Sequence, residues 1–392
     1  VALYRSPITR YLARLSDSPG ENIVNPAKLS APESTMVCGQ CHGIHLFKSQ
    51  PDALKWFEHG FTYRPGEEEH DRFPIRPTSR DPRLTSGLQS RPTFLQNRFW
   101  SDGMVRVSGR EYNGLLESPC FKGGEFSCLS CHTMHPKDGS DLEIWRDDQL
   151  KPGMRGNESC LSCHEDLREG LTAHTHHAPS SSGSLCYNCH MPHTTYGLLK
   201  GIRSHQISSP SILTTQQTGR PISCNQCHLD QTLAWTSHFL AEWYKTPVPA
   251  LSTDEKEIAA ALLWTLRGDA GQRALMAWSM GWAEAREASG TSWMAPYLAQ
   301  LLADPYDAVR LIAQRSAATL PGISASAYDF LAPKSVRNDA ARGIVLQWMK
   351  REDQQQRAGF KRLLFDAKGN FRQREVDRLL KMRDDTPMNL KE

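Results

Sequence analysis

The sequence has no long apolar run. Its longest, residues 258–264, is far too short to cross a bilayer, so the chain holds no membrane-spanning helix. It has no initiating Met, and no secretory leader precedes Val1, so it reads as a processed chain or one recorded without its first part. A strong excess of one charge is missing too: +3 over 392 residues gives no argument for nucleic acid. No cysteine follows Cys227, and only Cys120 of the eleven stands outside a Cys-x-x-Cys pair. With the pairs engaged elsewhere, no disulfide framework is left. The length predicts two domains of ordinary size.

Those pairs carry the chemistry. Each is followed at once by His: Cys38 and Cys41 with His42, Cys128 and Cys131 with His132, Cys160 and Cys163 with His164, Cys186 and Cys189 with His190, Cys224 and Cys227 with His228. This is the spacing of covalent c-type haem attachment, in which two thiols add to the two vinyl groups and the adjacent imidazole becomes the proximal iron ligand. Zinc knuckles also use Cys-x-x-Cys but do not require His directly after the second Cys. With 15 histidines in the chain, five such coincidences are negligible. Five copies predict five haems c and a role in electron transfer or redox catalysis. Attachment of this kind occurs outside the bacterial cytoplasm, which predicts a periplasmic or extracellular protein, or one on the outer face of a membrane. The haem propionates would turn the charge of +3 into about −2 oxidised and about −7 reduced.

The chain changes texture near residue 251. Residues 1–250 hold all five motifs and weak apolar periodicity, with helices expected at 52–59 and 142–149 and loops at 72–93 and 180–184. The expectation is a mainly α protein whose first part is a haem-cored domain with little regular structure. Residues 251–392 read as an all-helical module. Ser252 and Glu255 form a capping box for a helix with Ile258, Leu262, Leu263 and Leu266 on one face and Gly268 at its end. A helix follows from Asp269 or Ala270. Another covers 295–303, after which Asp304 as cap and Pro305 at the first position open a helix to about Leu320, with Val309, Ile312, Ala313 and Ala317 inward. Further helices are expected at 335–351, 353–366 and 373–384. The segment from Asp304 to Arg310 looks like the second helix of a HEAT-type repeat. Stacked helical pairs serve as docking surfaces for redox partner proteins or as cover for the haem domain.

Ten histidines remain beyond the proximal five: His45, His59, His70, His135, His174, His176, His177, His193, His205 and His238. That surplus favours closed irons with two imidazoles over open, substrate-binding ones. His45, His135 and His193 each lie three residues past a proximal ligand and cannot cross their own porphyrin, so each serves a neighbouring haem or a propionate. His135, His174, His177, His205, His59 and His193 are the distal candidates. His176 is read as a hydrogen-bond partner and His70 as exposed. Met104, Met134 and Met191 are read as packing, Cys120 as a buried free thiol. Arg64, Arg72, Arg76, Arg80, Arg203 and Arg220 are suited to propionates.

The stretches 99–103, 109–112, 117–120, 128–135, 174–191, 204–209 and 220–230 together resemble multihaem c-type cytochromes of the superfamily of tetrahaem cytochrome c and hydroxylamine oxidoreductase, which often carry C-terminal helical repeats. The resemblance covers about residues 20–325. It implies stacked haem pairs, mostly bis-histidine ligation, and further haem motifs ahead of the stretch resembling 22–42. Three functions follow as expectations: an electron carrier, an oxidoreductase of a small nitrogen or sulfur compound, or a haem-bearing subunit of a larger assembly or filament, with further haem-bearing subunits as partners. An enzyme needs one open iron with acid or base groups beside it. No Cys-x-x-Cys-Lys, the motif resembling the catalytic site of pentahaem nitrite reductase, marks one.

Overall fold

A computed structural model describes residues 25–47, 49–59, 72–74, 97–107, 109–136, 139, 141–196, 199–326, 328–350 and 360–388. The chain is mainly helical. Sheet among the described residues is limited to two antiparallel pairs, His45–Phe47 with Arg72–Pro74 and His193–Tyr196 with Lys200–Arg203. Two compact units form: one from residues 1–95, 109–186 and 205–208, the other from 96–108, 187–204 and 209–392. The texture change near residue 251 does not coincide with this division. Leu233 and Leu240 share the core of the C-terminal helices, and the Ala260 N–H donates to the Gln231 carbonyl at 2.9 Å.

The first unit is built of short helices with strong local caps. Ser30 and Glu33 close a capping box on Ala31–Gly39, and Asp141 accepts the Glu143 and Ile144 N–H groups ahead of Leu142–Asp148. The expected helix at 52–59 is present as Gln50–His59. Residues 75–93 of the expected loop lie outside the described residues, while Arg72–Pro74 is a strand; Ser182–Ser184 is a single 3₁₀ turn. Among the described residues this unit buries only Tyr112, Leu115, Leu116 and Leu161 as apolar side chains, while Leu54, Phe57, Leu142 and Ile144 stay exposed.

The second unit has the opposite character. The helices Ala260–Leu266, Ala270–Gly281, Ala295–Leu302 and Asp307–Ala317 bury Leu262, Leu266, Met276, Met280, Leu298 and Val309 completely. Small residues allow close approach: a Cβ on Gly281 would stand 2.4 Å from the Ser316 hydroxyl. Val309, Ile312, Ala313 and Ala317 face inward as expected.

Three helical expectations are corrected. The helix opened by Ser252 stops at Glu257, because Ile258 is extended and the Ala259 N–H donates to the Arg362 carbonyl at 2.9 Å; helix resumes at Ala260. Asp304 is not a helix cap, since Tyr306 holds that position and Asp304 is buried in an ion pair with Arg273 at 2.7 Å. Of the helix expected over 353–366, residues 353–359 lie outside the described residues. Lys361–Leu363 is one 3₁₀ turn, ended by Leu364 at φ 58° and a tight return that pairs Phe365 with Phe371. The expected 335–351 and 373–384 helices are present as Lys334–Met349 and Gln373–Leu380.

Candidate haem-binding sites

The five motifs share one local conformation. In four, the N–H of the motif's His donates to the carbonyl of its first Cys: His42 to Cys38 at 2.9 Å, His132 to Cys128 at 2.9 Å, His164 to Cys160 at 3.0 Å and His228 to Cys224 at 2.8 Å. The fourth motif is itself the helix Cys186–His190. One helical turn puts residues i, i+3 and i+4 on one side, so both thiols and the imidazole of each motif point the same way. None of the ten motif cysteines is in a disulfide.

Motifs adjacent in sequence are also neighbours within each unit. In the first unit the Cys38 and Cys128 thiols hydrogen-bond one another, which holds Cys38 down at about 7 and raises Cys128. Cys160 and Cys186 do the same, holding Cys160 at about 6. Burial raises Cys131, and the nearby Cys160 and Cys163 add to the rise. In the second unit burial raises Cys224, with Cys189 and Cys227 contributing, and pushes Cys227 up to about 12.

Three histidines have their Nδ1 fixed, which leaves Nε2 for a metal. His132 donates from Nδ1 to the Asp148 carbonyl at 3.0 Å. His177 donates to the Thr175 carbonyl at 2.6 Å. At His42 the Nδ1 partner is a carboxylate, Glu111 Oε2 at 3.3 Å. Burial would raise the Glu111 carboxyl, but His42, the nearby His205 and the N–H groups of Glu111 and Gly109 outweigh it and hold it at about 2.

The distal candidates fall in different surroundings. His205 stands beside His132 with ring centroids 6.2 Å apart and planes 26° from parallel. His177 lies over Gly183, where a Cβ would come within 2.1 Å of the imidazole. His174 sits half-buried on the helix Leu171–Thr175, and His176 is exposed at that helix's left-handed end, φ 55°. His135 is exposed. His45 stacks on Tyr112 at 6.1 Å. His59 ends its helix, and His70 lies outside the described residues.

His193 is enclosed by Trp278 and Trp282, with ring centroids at 4.4 and 4.6 Å. Burial and the charge of Arg203 push its pKa well below the usual histidine value, so the ring is neutral. Its backbone N–H and carbonyl are both held by the Gln226 side chain, at 2.9 and 3.1 Å, so an interior residue of the fifth motif clamps the strand that follows the fourth. Asn188, inside the fourth motif, accepts from Arg203 at 2.5 Å. Arg203 also donates to the Tyr187 carbonyl at 3.1 Å and lies over the Tyr187 ring, and Arg220 pairs with Asp102 at 3.0 Å. Arg64, Arg76 and Arg80 lie outside the described residues. His228 of the fifth motif meets Trp235 at 5.0 Å, the first of the rings Trp235, Phe239 and Trp243 spaced four apart along Leu233–Tyr244.

Several of these roles have no signature in the sequence. Glu111 lies 69 residues from His42, and Asp148 acts through its carbonyl. Trp278 and Trp282 read only as apolar helix positions. Thr175 lies two residues before His177, where a local search finds it. The repeated turn and the ten cysteines left outside any disulfide fit haem c as the bound group.

No protein-family model and no curated protein matches the chain. Among solved structures it is similar to an outer cell wall cytochrome, OcwA, at 17% sequence identity over 78% of this chain and 67% of that one, with a TM-score of 0.36. At that score the likeness is loose and carries no argument here.

Proposed function

We propose that this chain is a multihaem c-type cytochrome that relays electrons through five covalently bound haems, most of them with two histidine ligands, outside the cytoplasm. The observation that carries the reading is the recurrence of one turn, in which the His N–H is fastened to the carbonyl of the first Cys in four of the five motifs and the remaining motif is itself helical. Haem c supplies reversible one-electron chemistry at iron. The protein's residues supply attachment through Cys38, Cys41, Cys128, Cys131, Cys160, Cys163, Cys186, Cys189, Cys224 and Cys227, and proximal imidazoles from His42, His132, His164, His190 and His228.

His205 is the distal partner best supported for the second motif. Two imidazoles on opposite sides of one metal, each nitrogen about 2 Å from it, stand roughly 6 Å apart between ring centres. The 6.2 Å between His132 and His205 fits that spacing. The adjacency of Cys38 with Cys128, and of Cys160 with Cys186, supports short steps between consecutive haems. The stacked helices of the second unit, whose own side chains form an extensive buried core, are a suitable surface for redox partner proteins.

Electron paramagnetic resonance of the oxidised protein tests the relay. Low-spin ferric signals accounting for nearly all the iron are expected. A substantial high-spin signal would move the assignment to an oxidoreductase with an open iron.

A further inference from the structure

We infer that Glu111 is a positioning residue for the first haem site: its carboxylate holds the Nδ1–H of His42 and makes that site the more reducing of the first two. This rests on the proposed haem attachment at Cys38 and Cys41.

The contact is built rather than incidental. Three consecutive residues at the start of the helix Glu111–Glu117 are fastened to the chain just after the first motif. Glu111 Oε2 accepts from His42 Nδ1 at 3.3 Å, the Tyr112 N–H donates to the His42 carbonyl at 3.0 Å, and Asn113 exchanges two hydrogen bonds with the Ile44 backbone at 2.7 and 3.0 Å. Tyr112 and Asn113 are buried, and Gly39 fits under the Tyr112 ring, where any Cβ would collide at 2.7 Å. The second carboxylate oxygen of Glu111 accepts the Gly109 N–H at 3.1 Å, so the side chain is held at both ends.

The second motif makes the internal comparison. His132 also donates from Nδ1, but to a carbonyl, a dipole without net charge. A full negative charge on Nδ1–H makes the imidazole a stronger donor and favours the more positive ferric iron over the ferrous. Each reduction adds one electron to one iron and changes no bond in the Glu111–His42 pair. The carboxylate therefore opposes that added electron at the first site through a direct hydrogen bond, whereas at the second the nearby Asp148 carboxylate is engaged by Arg155 and reaches His132 only through space.

The test is a potentiometric titration of the five-haem protein at an electrode, comparing the native protein with Glu111→Gln, which keeps the shape and one acceptor but loses the charge. One midpoint is expected to rise, with its equilibrium shifted about tenfold toward the ferrous form, about 59 mV for one electron, while the other four stay in place. Glu111→Asp, which retains the charge, should restore most of the difference. No moving midpoint, or all five moving together, overturns the inference. Should E111Q fail to take up haem, the native protein still decides, because one of its low-spin ferric resonances should show the reduced g anisotropy of a strong-donor imidazole; a set without such a member overturns it. A pyridine haemochrome count on the native preparation separates the two claims, since fewer than five haems c contradicts the attachment itself.

Discussion

The imidazoles of His132 and His205 stand 6.2 Å apart between ring centroids with planes 26° from parallel, although they lie 73 positions apart in the sequence. If they close one iron between them, removing the second leaves that iron with an open side. His205→Ala is expected to convert one haem to a high-spin ferric signal, absent from the native protein, and to leave the haem count at five. An unchanged low-spin spectrum would assign the distal position to another histidine.

Gly183 offers a test through shape alone. A methyl group there would lie 2.1 Å from Cδ2 of His177, so Gly183→Ala forces the ring out of its hydrogen bond with the Thr175 carbonyl. Crowding of this kind costs about 1–3 kcal/mol. Thermal unfolding followed by circular dichroism should show the loss, and the Soret band of one haem should shift with it if His177 is a ligand.

Gly201 plays the same part for the other enclosed histidine. A Cβ there would meet the Trp278 ring at 2.7 Å, and Trp278 packs against His193. Gly201→Val should displace the indole, which a shifted tryptophan emission maximum would report.

The helical unit should fail for a different reason. Arg273 is fully buried and donates to Asp304 at 2.7 Å, to the Gly268 carbonyl at 2.7 Å and to the Asp384 carbonyl at 3.0 Å. Asp304→Ala removes the buried carboxylate closest to the guanidinium and leaves only the half-exposed Asp385 at 3.6 Å, a change that costs about 3 kcal/mol. Chemical denaturation should show that loss in the helical transition, with haem attachment to the first unit unaffected.

Much of the helical unit was legible in its sequence because its side chains do their own packing. The inward set Val309, Ile312, Ala313 and Ala317 and the cap at Ser252 follow from periodicity and local hydrogen bonding. What local rules missed was tertiary competition: the backbone of Arg362 takes the Ala259 N–H and splits a helix, and Arg273 draws Asp304 away from capping.

In the first unit the Cys-x-x-Cys-His motifs were legible and their surroundings were not. Cys-x-x-Cys-His is a local pattern, whereas the partners that orient its imidazole come from distant chain, as with Glu111, or from a backbone carbonyl that any residue could supply, as with Asp148. Spacing alone made His193 and His135 both distal candidates and favoured His135. The structure separates them, burying one between two indoles and exposing the other.

The central claim is covalent attachment of five haems, and it is tested most directly by peptide mass mapping of the ten motif cysteines together with a pyridine haemochrome count on the same preparation. Five haems c per chain, with each of the five Cys-x-x-Cys-His peptides carrying one and Cys120 unmodified, is the predicted result. Unmodified motif peptides, or zinc in place of haem iron, would contradict it.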